Sequence, residues 1–346
     1  MNITFLIGNG FDLNLKLKTR YSDFYEYYIE NDPNDLLSKS IKSDYEMWSD
    51  LELGIGKFLE TIDEGQVEEF LDSKRTLERM LSEYLALESK RFVVENEDAL
   101  NEEFRKNVLN FFSGFNAYEK EHYHEVIAKT NEIIKYSFIT FNYTTVLDDI
   151  VVSAKNKCKP FGTHNSAGIG YHDIVGVPHH IHGKLSEDLI LGLDNVEQIL
   201  NDKLKRNPKL SKYIIKAAVN TALGERKIEI AKEIIDKSRY VCLFGLSIGD
   251  TDGMWWKYII EWLLRDERNR LVLFVNEKAI VQLSGQEKLR FRDLKRELML
   301  ERSQCESSET RTKIEDKIIV ISNSNIFTLE NCRVLEKGVS EKQNGD

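Results

Sequence analysis

The chain has 346 residues, of which 41% are hydrophobic and 31% charged, with a formal net charge of −10. This describes a soluble globular protein with enough apolar mass for a full core, arranged as two ordinary domains or as one large domain with an insertion. The acidic balance comes without any Lys/Arg-rich stripe with interleaved aromatics, which argues against nucleic acid as the primary ligand.

The first element is a short apolar strand, Ile3–Ile7, that runs into Gly8-Asn9-Gly10-Phe11-Asp12. Such a strand-to-helix turn can cradle a phosphate, because glycines let backbone N–H groups approach a pyrophosphate at a helix N-terminus. The third glycine of the usual dinucleotide fingerprint is replaced by Leu13, and no strand ending in an acidic residue follows about 20 residues on. By itself, the turn is equally an ordinary strand-to-helix connection.

From about Tyr21 to Ile134 the sequence is charged and strongly helical. Trp48, Leu51, Ile55, Phe58, Leu59 and Ile62 fall at helical spacing, as do Leu77, Met80, Leu81, Tyr84 and Leu85, and then Phe104, Val108, Phe111 and Phe112. These stripes are helix-packing faces, and residues 21–134 are expected to form an all-helical insertion. Further compact apolar runs at Ser137–Phe141, Leu189–Leu193, Tyr240–Phe244, Leu271–Val275 and Ile318–Ile321 read as strands covered on both faces. Helical patterns separate most of them, as in a parallel sheet with right-handed crossovers. A helical stretch over 196–237 is interrupted at Pro208, and 286–313 reads as a solvated helix or helix pair. The expected organisation is an α/β domain of residues 1–20 and 135–332, the insertion 21–134, and a polar tail 333–346.

Cys158, Cys242, Cys305 and Cys332 are far apart in sequence, which fits a reducing compartment. Strand residues begin at position 2, leaving no room for a signal peptide, and the apolar stretch Trp255–Leu264 is too short to span a bilayer. A cytoplasmic location is expected.

Ligands of open parallel sheets sit outside the carboxyl ends of the strands. Small and polar residues gather after four of the expected strands: Gly8 to Asp12, then Asn142-Tyr143-Thr144, then Gly245-Leu246-Ser247-Ile248-Gly249-Asp250-Thr251-Asp252, and Asn276. That recurrence points to a ligand crevice. Asp12 and Asp250 could serve there or cap helices, and capping is the better reading of Asp252. The segment His179-His180-Ile181-His182-Gly183 has three open readings: a metal pair completed by His164, His172 or a carboxylate, satisfied loop histidines, or a general base at His182.

Several of these motifs together resemble the bacterial abortive-infection AbiH family, which acts in phage defence. They are Ile7-Gly8-Asn9-Gly10-Phe11-Asp12-Leu13, Thr19-x-Tyr21-Ser22-Asp23-Phe24, Thr140-Phe141-Asn142-Tyr143-Thr144, His180-Ile181-His182-Gly183 and Gly245-x-Ser247-x-Gly249-x-x-Asp252. In the same order they are similar to the sirtuin-like, Rossmann-type domains of antiphage NAD hydrolases. That resemblance implies NAD as substrate, His182 and Asn142 as catalytic residues, and Gly8, Gly10, Gly245 and Ser247 around the nucleotide; Asn9, Phe11, Asp12, Thr19, Tyr21, Gly249, Asp250 and Asn276 are expected to complete that site. No metal and no membrane partner are expected from the residues, and a phage-derived activator and a homo-oligomer remain open. Asn9 between the glycines, and Asp12 where a serine is typical, depart from the sirtuin-like pattern.

Overall fold

The computed structural model describes residues 1–336 apart from 32, 188, 277–283 and 323. Ten strands occur among them: β1 (Asn2–Ile7), β2 (Phe92–Val94), β3 (Lys135–Thr140), β4 (Gly162–Ser166), β5 (Ile169–Val175), β6 (His179–His180), β7 (Ser238–Phe244), β8 (Arg270–Val275), β9 (Ile318–Ser322) and β10 (Cys332–Val334). Seven form one path in the order β4-β5-β3-β1-β7-β8-β9, with β6 also paired to β3. Every pairing from β5 to β9 is parallel, and only β4 runs antiparallel to its neighbour β5.

The chain therefore winds outward from β1 through β3 to β5, then returns and winds outward the other way through β7, β8 and β9. The reversal falls between β1 and β7. At such a point the loops leaving adjacent strands diverge and open a crevice at the carboxyl edge of the sheet. Five apolar runs sit in this sheet as read from sequence, because parallel central strands are covered on both faces. Ile3, Phe5 and Ile7 enter one apolar layer and Leu6 the other, following the two-residue period of a strand.

The sixth run is corrected: Leu189–Leu193 is coil apart from a single bridge between Leu193 and Ile215. Ile190, Leu191 and Leu193 are nonetheless buried, the last two in a helical core. The hairpin β4–β5 has no apolar run to announce it. Its turn places Ala167 at φ 50° and Gly168 at φ 82°.

The segment between β1 and β3 is not all-helical, since β2 lies within it and pairs with β10. Its helices also divide between two cores. Phe24, Trp48, Ile55, Phe58, Phe70 and Leu81 pack with Tyr143, Leu191, Leu193 and Leu210. Phe104, Val108 and Phe111, by contrast, pack directly on the sheet beside Phe5 and Phe138. Residues 333 and 334 of the expected tail belong to β10, and 337–346 lie outside the described residues. Helices Gly285–Arg302 and Ser308–Glu315 form the expected pair, and Pro208 starts the helix Pro208–Ile214 at its first turn, where a missing N–H costs nothing. No helix among the described residues is long and apolar enough to cross a membrane.

Candidate functional site

A cavity of about 170 Å³ opens where β1, β3 and β7 end. Gly8, Asn9 and Asp12 reach it from β1, residues Phe141 to Thr144 from β3, and Gly245, Leu246 and Ser247 from β7, while Thr19, Tyr21, Asp50, Glu52, Leu81 and Leu85 close it from the helical side. His182, Thr251 and Asp252 complete the lining.

The glycine turn does something other than expected. Gly8 N–H donates to the Phe244 carbonyl at 3.0 Å and Gly10 N–H to the Gly245 carbonyl at 2.8 Å, so both expected phosphate donors are used within the fold. A Cβ on Gly10 would lie 2.4 Å from Gly245 Cα, and one on Gly8 would lie 2.6 Å from the Gly245 carbonyl oxygen. These glycines are needed so that the loops after β1 and β7 can touch backbone to backbone. Gly245 carries the same requirement twice over, with φ at +67° and a Cβ that would meet Gly10 Cα at 2.7 Å. Gly245→Ala is therefore expected to destabilise the protein by more than about 2 kcal/mol, combining left-handed strain with a backbone clash. Thermal unfolding of the variant checks this, and an unchanged midpoint would refute it. Asn9 and Thr19 pin the far end of the turn, Asn9 Nδ2 donating to the Thr19 carbonyl at 2.8 Å and Thr19 Oγ1 to Asn9 Oδ1 at 2.5 Å.

Asn142 is delivered by β3 and held from behind by its own backbone. Its carbonyl accepts from His180 Nδ1 at 2.9 Å, and His180 Nε2 reaches Asp148 Oδ2 at 2.8 Å. Both ring nitrogens of His180 are thus engaged, which leaves this histidine a structural brace. β6 makes the geometry possible by pairing His180 with Thr140 on β3.

The residues after β3 alternate in what they face. Asn142 and Thr144 turn to Asp12, whose Oδ2 accepts from Thr144 Oγ1 at 2.6 Å. Phe141 and Tyr143 flank His182, with ring centroids 5.5 and 6.3 Å away. Asp12 is 1% exposed and Asn142 6%, yet Asp12 Oδ1 and both amide atoms of Asn142 have no partner at hydrogen-bonding geometry among the described residues. Burial pushes the Asp12 carboxyl up to about 6, against the pull of Thr144, the Asn142 amide and His180. The Asn142 amide thus lies close enough to Asp12 to pull on its carboxyl as a hydrogen-bonding group, although its atoms fall short of good hydrogen-bond geometry.

On the other side stands an ionic cluster. Lys216 Nζ meets Glu52 Oε2 at 2.9 Å, the Thr251 carbonyl at 2.8 Å and Asp252 Oδ1 at 3.2 Å. Burial works against the Lys216 ammonium, but Glu52 and Asp252 outweigh it and hold it above the usual lysine range. Burial lifts Glu52 above the ordinary carboxylate range, with Lys216 opposing. His182 Nε2 lies 3.9 Å from Asp252 Oδ1. Burial and then the Lys216 charge drive His182 down to about 3, Asp252 opposing, so the imidazole is neutral at cellular pH. Gly183, at φ +77°, supplies the turn that follows it.

Nine of the expected site residues line the cavity: Gly8, Asn9, Asp12, Thr19, Tyr21, Asn142, His182, Gly245 and Ser247. The others lie elsewhere. Gly10 is consumed by its contact with Gly245, and Phe11 is a core residue stacked edge-on against Phe327 at 5.6 Å. Gly249 offers its carbonyl to Trp256 Nε1, Asp250 pairs with Arg302, and Asn276 is exposed beyond β8. Asp252 stands at the N-cap position of the helix Gly253–Arg265, but its side chain bonds no helix N–H and turns to Lys216 instead. Sequence reading missed Asp50, Glu52 and Lys216. A signal existed for two of them: Glu52 sits inside the apolar stripe of Trp48, Leu51 and Ile55, and Lys216 interrupts Ile214-Ile215 and Ala217-Ala218.

The chain matches the family model described as bacteriophage abortive infection AbiH over residues 4–274, well over half its length. Comparison with curated proteins finds no match. The chain belongs to the AbiH family, and with that membership comes a role in phage abortive infection.

Proposed function

We propose that this AbiH-family chain arrests infected cells by hydrolysing NAD at the nicotinamide–ribose bond, in the cavity at the end of β1, β3 and β7. The observation that carries this reading is the set of buried, unpartnered polar atoms at one spot, Asp12 Oδ1 with Asn142 Nδ2 and Oδ1, beside a neutral His182. Buried polar groups are nearly always paired, and those left open in a cleft mark a place where a ligand supplies the partner.

The charge of the lining supports the chemistry. Asp12, Asp50, Glu52 and Asp252 line the cavity, and with Lys216 pairing Glu52 and Asp252 from behind, Asp12 and Asp50 are the acidic side chains left to face a ligand. Such a surface favours positive charge, which the nicotinamide ring of NAD carries and the ribose develops as an oxocarbenium when the bond breaks. Asn142 would hold the attacking water and His182, uncharged, would accept a ribose hydroxyl. The strand order β5-β3-β1-β7-β8-β9, which matches that of dinucleotide-binding sheets, fits a sirtuin-like, Rossmann-type reading.

The second reading is a non-catalytic nucleotide-binding sensor or interaction module that triggers arrest, and one observation weighs on nucleotide binding under either reading. The N–H groups of Gly8 and Gly10, the expected pyrophosphate donors, are spent on β7 and the turn after it.

The test is NAD loss with purified protein, with and without lysate from phage-infected cells. Wild type is expected to consume NAD, and His182→Ala and Asn142→Ala to lose at least about 100-fold in rate while still binding the nucleotide. Nucleotide binding without NAD loss by the wild type would favour the sensor.

A further inference from the structure

From the division of the cavity into two polar faces we infer that Asp12 is the proton acceptor of the reaction, working with Asn142, and that His182 is not. This inference rests on the NAD-hydrolysis reading. The alternation along 141–144 sends Asn142 and Thr144 to Asp12 and sends the rings of Phe141 and Tyr143 to His182. Water held by Asn142 therefore sits against Asp12.

The Asp12 carboxylate is built for that position. Thr144 Oγ1 donates to Oδ2 at 2.6 Å and fixes the group, leaving Oδ1 as the oxygen with no protein partner. The Asn142 amide, also unpartnered, can accept one water hydrogen at its oxygen or donate to the water oxygen from its nitrogen. His180, clamped between the Asn142 carbonyl and Asp148, keeps the whole segment from shifting. The Asp12 carboxyl titrates close to cellular pH, where a general base is most effective, whereas His182 is too weak a base to hold a proton there.

The step balances as follows. The water oxygen forms the new bond to the anomeric carbon of the ribose as the carbon–nitrogen bond to nicotinamide breaks, and that electron pair neutralises the pyridinium. The water proton passes to Asp12 Oδ1 and is then released to solvent, giving ADP-ribose, nicotinamide and one proton. No oxidant or metal enters.

The experiment compares full-length wild type, Asp12→Asn, Asp12→Ala and His182→Gln for NAD loss in infected-cell lysate, with NAD binding measured in parallel. Asp12→Asn is expected to lose 100-fold to 10,000-fold in rate, of the order lost with a general base, with binding retained. Adding sodium azide or formate to Asp12→Ala should restore part of the rate, because a small anion can enter the space the carboxylate left. His182→Gln should lose rate yet keep the wild-type dependence of that rate on pH, because the titrating base is Asp12. An Asp12→Asn rate within threefold of a turning-over wild type would overturn the inference and leave NAD hydrolysis standing. So would a failure of both anions to restore a folded Asp12→Ala. Absence of NAD loss in the wild type would remove the hydrolysis reading and this inference with it.

Discussion

Asp12→Asn is expected to be more stable than the wild type at pH 8, by about 3 kcal/mol. The native carboxyl is lifted from its ordinary value of 3.8 to about 6, chiefly by burial, and each unit of such a shift corresponds to about 1.4 kcal/mol. The sign follows from which state holds the proton more tightly. The native protein does, so the favourable contribution of this group is fully present below 3.8 and is lost as pH rises through about 6. Above that, the folded state carries the cost of a buried, half-partnered carboxylate.

Asparagine has the same shape, keeps an oxygen for Thr144 and is never charged, so it avoids this cost. The stability gap between variant and wild type should shrink to roughly half at pH 5, where the wild-type carboxyl is mostly protonated in the native state. Urea unfolding of both proteins at pH 5 and pH 8 measures it. A variant less stable than wild type, or a gap that ignores pH, would mean that Asp12 is a structural residue satisfied by its surroundings. The predicted pattern, stability gained where turnover is lost, is what a strained catalytic carboxylate leaves behind.

Why Asp12 was legible and its surroundings were not has a physical answer. The loops after β1, β3 and β7 could be found because buried parallel strands announce themselves as short apolar runs, and ligands gather where such strands end. That logic brought Asp12, Asn142 and Ser247 to one edge from three distant parts of the chain. It misassigned Phe11, whose place in a glycine-rich motif suggested a ligand contact while its ring fills the core against Phe327. It placed a strand at Leu189–Leu193, where an apolar run is buried against helices and not in the sheet. An apolar run reports burial, and only its neighbours decide whether it pairs as a strand. The hairpin β4–β5 stayed hidden for the opposite reason: at the sheet margin its strands alternate and carry Thr163, Asn165 and His172 outward. Glu52 and Lys216 each stood out as a charge inside an apolar run, but their pairing did not, because they lie 164 residues apart and meet only once the helical core has formed.

That cluster yields the other large expected effect. Lys216→Met should destabilise the protein by about 3–5 kcal/mol at pH 8, the usual result of removing one member of a buried ion pair. Methionine fills the space but leaves Glu52 and Asp252 facing each other with no cation between them, and Asp194 loses the charge that steadies it as well. The deficit should narrow as pH falls. With the ammonium gone, Glu52 loses the charge that opposes its burial and its folded-state value stands still further above the unfolded one, so the folded variant takes up a proton that its unfolded chain does not. Its stability therefore recovers towards pH 5 relative to wild type. His182 should respond too, because the Lys216 charge is, after burial, the force holding its imidazole down, and Asp252, 3.9 Å away, would then be opposed by burial alone. With seven histidines in the chain, imidazole proton NMR can follow His182 directly, using His182→Gln to assign it. An upward move of that resonance's titration, together with a deficit that narrows on acidification, would establish that the Lys216 charge adds to burial in keeping His182 neutral. A loss under about 1 kcal/mol, or one independent of pH, would mean that the carboxylates relax into solvent through the cavity and that Lys216 does not govern the charge of the site.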